Sequence, residues 1–302
     1  ATTKAITTGA GNDTVTTGSA LGTGGSVDAG AGTDTLSMTA ANAVTASADG
    51  TFQDTISNFE ALKLGAMGAN TAVNLDLLDD INTITIAGGG STLTVTNAAT
   101  GYSLTTTAAM TASNVAMAVD GLADTANLTI TGAATLIAGT HTMTGFETVN
   151  IAVDDTTTPD GNVDHTITLV ASSGKTLNFS GDAQVTLTNT NTAWTTIDAS
   201  GMTSTKNSVT WATIGALAGN ATITGSAGAD NFGGSGNTAV STKSLTMDGG
   251  LGQDTLYGGA GADTITDTSS ATAAGGAGRT AHPLAERSGA YLLPRALRAA
   301  KP

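Results

Sequence analysis

Residues 249–266 read Gly-Gly-Leu-Gly-Gln-Asp-Thr-Leu-Tyr and then Gly-Gly-Ala-Gly-Ala-Asp-Thr-Ile-Thr. These are two consecutive copies of Gly-Gly-x-Gly-x-Asp-x-apolar-x. A strict nine-residue period requires each copy to be the same short unit, placed beside the last. Glycines at the first, second and fourth places allow backbone angles that other residues resist and leave carbonyls bare. The aspartate at the sixth place, Asp254 and then Asp263, adds a carboxylate. The apolar residue at the eighth, Leu256 and then Ile265, suits a short strand with one buried face. Stacked turns of this kind offer the roughly six to eight oxygens in flexible geometry that a calcium ion takes. A glycine-rich linker with scattered acids has no reason to keep an apolar residue on a fixed period.

Imperfect copies lie elsewhere. Gly9-Ala10-Gly11-Asn12-Asp13-Thr14-Val15 keeps the end of the pattern, and Asp28-x-Gly-x-Gly-x-Asp34-Thr-Leu matches Asp248-x-Gly-x-Gly-x-Asp254-Thr-Leu position for position. Residues 225–232 keep the aspartate, Asp230, and the apolar Phe232. Residues 233–240 keep everything except the aspartate, where Thr238 stands as a poorer cation ligand. The candidate calcium ligands are Asp254, Asp263, Asp34, Asp13, Asp230, Asp28 and Asp248, with the carbonyls of Gly249, Gly250, Gly258 and Gly259.

Between the two glycine-rich regions lie short runs at residues 81–87, 93–96, 127–131, 165–170, 184–188 and 209–213. Most alternate Thr, Asn or Ser with Val, Ile or Leu, which predicts strands buried on one face. A looser repeat runs through them. Asn58-Phe59-Glu60-Ala61-Leu62-Lys63-Leu64 resembles Gly145-Phe146-Glu147-Thr148-Val149-Asn150-Ile151, and each follows an Asp-Thr pair, Asp34-Thr35 or Asp124-Thr125. Phe59 and Phe146 are expected to fill corners of stacked rungs, with Glu60 and Glu147 facing water. A short helix is expected near residues 74–80.

Composition agrees with stacked rungs. Aromatic residues are 3% and charged residues 11% of the 302-residue chain, while 40 residues are glycine. Thin layers of small and β-branched side chains account for this; a helical bundle does not. The predicted fold is therefore all-β, a parallel β-solenoid with glycine-aspartate turns. Its expected divisions are 1–37 (glycine-aspartate turns), 38–224 (Thr- and Ala-rich rungs), 225–272 (nonapeptide region) and 273–302 (atypical basic tail).

There is no cysteine, so disulfides and thiolate metal sites are excluded. A net charge of −14 excludes a nucleic-acid partner and favours divalent cations. No apolar run approaches the ~20 residues that span a bilayer. Every arginine (Arg279, Arg287, Arg295, Arg298) lies in the tail with Lys301 and the single acid Glu286, so the tail carries +4 and the remainder −18. That segment is either foreign to the natural protein or a native basic tail for an anionic surface. The start at Ala1, without an initiator methionine, is expected of a processed piece of something longer.

By its nonapeptides, Asp-Thr-Leu signatures and composition, the chain resembles RTX-type surface-layer (S-layer) proteins of Gram-negative bacteria and their RTX adhesin relatives. The resemblance implies type I secretion, folding outside the cell on calcium, and self-association into a lattice at the cell surface, with a surface polysaccharide as anchor through a missing region. In the resembled roll a calcium is shared by turns about 18 residues apart. Asp254 would then look back to Gly236 and Asp263 to Leu245, leaving carbonyls, Asp248, Asp267 or an irregular rung to complete each site. Alternatives are an adhesin segment or an accessory module of a type I-secreted enzyme. A catalytic role finds no support: the three histidines, His141, His165 and His282, form no His-Glu-x-x-His, and there is no Gly-x-Ser-x-Gly. Asp79-Asp80 and Asp154-Asp155 are adjacent and would point to opposite faces of a strand. Trp194 and Trp211 are expected to pack on rungs.

Overall fold

The computed structural model describes residues 3–17, 24–48, 50–157, 163–211, 214, 217–233, 243–258, 261–267, 272–274 and 280–283. The chain is a parallel β-solenoid. Successive coils contribute one strand to each of two faces, and every strand pair among the described residues is parallel. One face is a sheet of thirteen strands running from Thr14–Thr16 to Thr280–Pro283. The other is a sheet of ten strands from Thr71–Asn74 to Thr272–Ala274. A three-stranded sheet of Ala5–Thr7, Ser26–Asp28 and Ile56–Ser57 precedes the ten-stranded one.

The alternation in sequence becomes alternation in space. In Thr148–Asp155, Val149, Ile151 and Val153 point inward while Asn150 and Ala152 are only half-buried. Register then stacks like on like. Leu36, Leu62, Ile84, Leu104, Leu128, Ile151 and Phe179 form one continuous ladder, each buried between the coil before and the coil after. Burying each such side chain is worth roughly 1.5–3 kcal/mol, so small coils accumulate a core that no single coil could make. On the outer side of the same strands, Asn150 Nδ2 donates to Asn127 Oδ1 and Asn178 Nδ2 to Asn150 Oδ1, both at 2.8 Å, so each amide is satisfied by its neighbour.

Coil length varies while register holds. Ile265 stacks on Met247, 18 residues back, whereas Asn178 stacks on Asn150, 28 residues back. The additional residues leave the strands as loops. Phe59, Phe146, Trp194 and Trp211 are all buried in the stack, as expected.

Two local expectations are corrected. The α-helix is at Ala40–Ala46, where Thr39 Oγ1 accepts from Asn42 N (3.2 Å) and Ala40, Ala43 and Ala46 are buried. The 74–80 region instead holds a single 3₁₀ turn, Leu75–Leu77, because Asn74 Oδ1 caps Asp76 N and draws the turn tight. Beyond 267 the strands Thr272–Ala274 and Thr280–Pro283 extend the two sheets into the region read as a tail. Arg279, Glu286, Arg287, Arg295, Arg298 and Lys301 lie outside the described residues.

Candidate calcium sites

The two faces are joined by turns along two edges of the solenoid, and the acidic residues concentrate there. On the edge leading into the thirteen-stranded sheet stand Asp13, Asp34, Glu60, Asp124, Glu147 and Asp263, each just before a strand. On the opposite edge, Asp254 stands just before a strand of the ten-stranded sheet and Asp230 is the second residue of the strand Ala229–Phe232.

One hydrogen bond recurs along both edges. A carboxylate oxygen accepts from the backbone N–H of the residue in register one coil earlier: Asp13 N to Asp34 Oδ1 (2.7 Å), Val209 N to Asp230 Oδ1 (2.9 Å), Asp230 N to Asp254 Oδ1 (2.8 Å) and Leu245 N to Asp263 Oδ1 (2.9 Å). The turn's backbone is satisfied in this way, and each aspartate is held in one orientation.

The second oxygen is left over. Oδ2 of Asp13, Asp34, Asp254 and Asp263 is buried without a hydrogen-bond partner, and Asp34, Asp254 and Asp263 are respectively 0%, 1% and 3% exposed. A buried carboxylate oxygen with no donor is costly. Burial pushes the carboxyls of Asp254, Asp230 and Asp263 upward; Asp254, with Asp230, Asp267 and Asp248 nearby, reaches about 7. Each group is therefore short of positive charge, and a hard cation that takes oxygen ligands supplies it.

Glycine makes room for that oxygen. A Cβ on Gly249 would lie 2.5 Å from Asp254 Oδ2, and one on Gly258 would lie 2.5 Å from Asp263 Oδ2. The first glycine of each nonapeptide is thus a cradle for the sixth-place carboxylate. Gly250, at φ +83°, lets the chain turn where the carbonyl of Ser226 from the preceding coil comes close.

The other predicted residues are placed differently. Asp230 Oδ2 accepts from Ser226 N (2.6 Å) and Ser226 Oγ (2.8 Å), so the serine in the second place of that repeat does the work of a counter-charge. Asp28 Oδ1 accepts from Gly30 N (3.0 Å) and Asn58 Nδ2 (2.7 Å), and Asp248 Oδ1 from Gly250 N (3.2 Å), so both brace turns. Gly259 lies outside the described residues.

The expected partner of Asp254 is corrected. Asp254 stacks on Asp230, 24 residues back, and not on Gly236. Asp263 does stack on Leu245, at 18. Glu60 and Glu147 are also corrected. They are half-buried and continue the aspartate ladder, Glu60 Oε2 accepting from Asp34 N (2.6 Å) and Glu147 Oε2 from Asp124 N (2.9 Å). The repeated Asp-Thr and Phe-Glu pairs carried that signal, since Phe fills the corner and places the next residue at the Asp position. Asp120, Asp124 and Glu147 offer carboxylate oxygens within 4.8 Å of one another.

The model of the RTX calcium-binding nonapeptide repeat (4 copies) matches residues 5–20 and 246–266. The chain carries RTX calcium-binding repeats. The solenoid accordingly has the β-roll architecture of such repeats, and calcium is their ligand. A search of curated proteins returns no match. The residues fit the ion: the matched repeats contain Asp13, Asp254 and Asp263, each with a buried carboxylate oxygen that has no hydrogen-bond partner. Among the described residues no helix is long and apolar enough to cross a membrane.

Proposed function

We propose that the protein is a secreted, calcium-dependent structural component that forms or contributes to a bacterial surface layer, and that it is not an enzyme. The observation that carries this reading is the set of buried carboxylate oxygens, on both edges of the solenoid, that lack a positive partner. Without the ion these groups oppose compaction, and a net charge of −14 adds self-repulsion. With it, the coil is clamped along its length. A calcium-poor cytoplasm then keeps the chain unfolded for export, and calcium outside drives folding by mass action.

The absence of catalysis is supported by the histidines. Ser113 Oγ lies 2.8 Å from His141 Nδ1, but both residues are fully buried, and burial lowers His141 to about 4. No substrate reaches that pair. His165 Nδ1 accepts from Leu136 N (3.2 Å), a structural bond.

Assembly is tested by adding calcium to the chelated protein while following far-UV circular dichroism and light scattering. The reading predicts that β signal and particle mass both rise by about millimolar calcium. A monomer at all calcium concentrations overturns the surface-layer role. That outcome favours the adhesin reading, which one feature supports: Val119 and Leu122 are 79% and 97% exposed on a single loop, an apolar tip available to another surface.

A further inference from the structure

In the nonapeptide pattern the first place is glycine, and Gly225 and Gly249 occupy it in successive coils of one edge. Gly225 N donates to Asp248 O (2.7 Å) and Gly249 N to Thr266 O (3.0 Å), so the positions stack in register. Since Asp248 pairs with Thr266, the residue beneath Gly249 in the next coil is Asp267. An aspartate therefore stands where the pattern calls for a third glycine. It lies one residue beyond the matched repeats and is 4% exposed.

Asp254 Oδ2 occupies the space left by the missing side chain of Gly249, the glycine that sits directly over Asp267. Asp254 is 1% exposed, and its Oδ2 has no hydrogen-bond partner. Asp267 is close enough to oppose its ionisation. On the other side, the oxygen of Asp230 that would compete is held by Ser226 N and Oγ. Two buried carboxylates from adjacent coils thus stand at the Gly249 turn, one against the glycine and one in register beneath it, 13 residues apart and not at the 18-residue spacing of Asp263 and Leu245.

We propose that Asp254 and Asp267 together hold one calcium ion beneath the Gly249 turn, a centre whose second carboxylate comes from outside the nonapeptides. This inference rests on the calcium-binding reading of the repeats. The glycine gap seats Asp254 Oδ2, the first ligand, and Asp267 supplies the second charge. A two-carboxylate site binds more tightly than one completed by carbonyls alone, because affinity follows ligand charge. The ion also ties the last nonapeptide coil to the one that follows it.

The test is isothermal calcium titration of the full chain, alongside D254N, D267N, D267G, D263N and the D254N/D267N pair. D267G restores the glycine found in register at Gly225 and Gly249, so it removes the carboxylate with the residue the turn already accepts. The proposal predicts that D254N and either Asp267 variant weaken the same single ion by at least about tenfold. It predicts that the double variant loses no further ion, and that D263N removes a different one. Wild-type stoichiometry and affinity in D267G would overturn it while leaving calcium binding by the repeats intact, as would additive loss of two ions in the double variant. No calcium uptake by the wild-type chain would overturn both.

Discussion

Replacing Gly249 by alanine tests the cradle directly. The backbone there is not in the left-handed region, so alanine brings little conformational strain. Its methyl would nevertheless lie 2.5 Å from Asp254 Oδ2 and 3.0 Å from Cγ. The carboxylate must swing away, and that breaks the 2.8 Å bond from Asp230 N to Oδ1. Losing a hydrogen bond to a charged group costs about 1.5–3 kcal/mol. A loss near 2 kcal/mol corresponds to roughly 30-fold weaker binding. Isothermal titration should show one ion weakened by about that factor, while the others and the far-UV spectrum remain as in the wild type. G250A is the contrasting variant: Gly250 is at φ +83° and faces the Ser226 backbone carbonyl, so alanine should destabilise the fold with or without calcium. Unchanged affinity at every ion in G249A would refute the cradle, as would damage to the chelated protein equal to that of G250A.

Other consequences follow from the same geometry. In Asp263→Asn the buried charge is gone, so the chelated protein should gain stability while the calcium-loaded protein loses it; urea melts in chelator and in calcium read both signs. Ser226→Gly removes the hydroxyl donor to Asp230 Oδ2 while the backbone N–H of residue 226 still reaches it, which should lower metal-free stability by about 1–3 kcal/mol in urea melts with chelator. The Asp254 carboxyl, raised from 3.8 to about 7, binds more protons folded than unfolded between those values. Its contribution to metal-free stability is therefore fully present below about 3.8 and lost as pH rises through about 7. Calcium must displace that proton, so affinity should fall below pH 7 with measurable proton release.

Much of the architecture was legible because a solenoid repeats its instructions. The Val149, Ile151 and Val153 alternation, the duplicated Phe59 and Phe146 and the 18-residue step from Leu245 to Asp263 each state the same coil, and each stands in the structure where the pattern puts it. Register was harder to read where loops differ in length. The 24-residue coil placed Asp254 on Asp230, and nothing in the sequence fixes how many residues leave the strands as loop. A glutamate at the rung corner suggests a solvent-facing acid, whereas one additional methylene still lets Oε2 of Glu60 and Glu147 reach the N–H of the preceding coil. The helix Ala40–Ala46 escaped because its buried face is only alanine, a pattern with little periodic contrast. Ser226 carries no sequence signal for its role, because the bond from its hydroxyl to Asp230 exists only in the folded turn.

We propose that calcium bound by the buried, unpartnered carboxylate oxygens on the two edges holds the fold. The most direct test is the unfolding midpoint of the chain in excess chelator and at rising calcium. A ligand bound only by the folded form stabilises it by about 2.7 kcal/mol per site at a hundredfold excess over its dissociation constant. With several such sites the midpoint should climb steeply and keep climbing with calcium concentration, while magnesium at equal ionic strength does far less. A midpoint that is the same in chelator and in calcium would contradict the account.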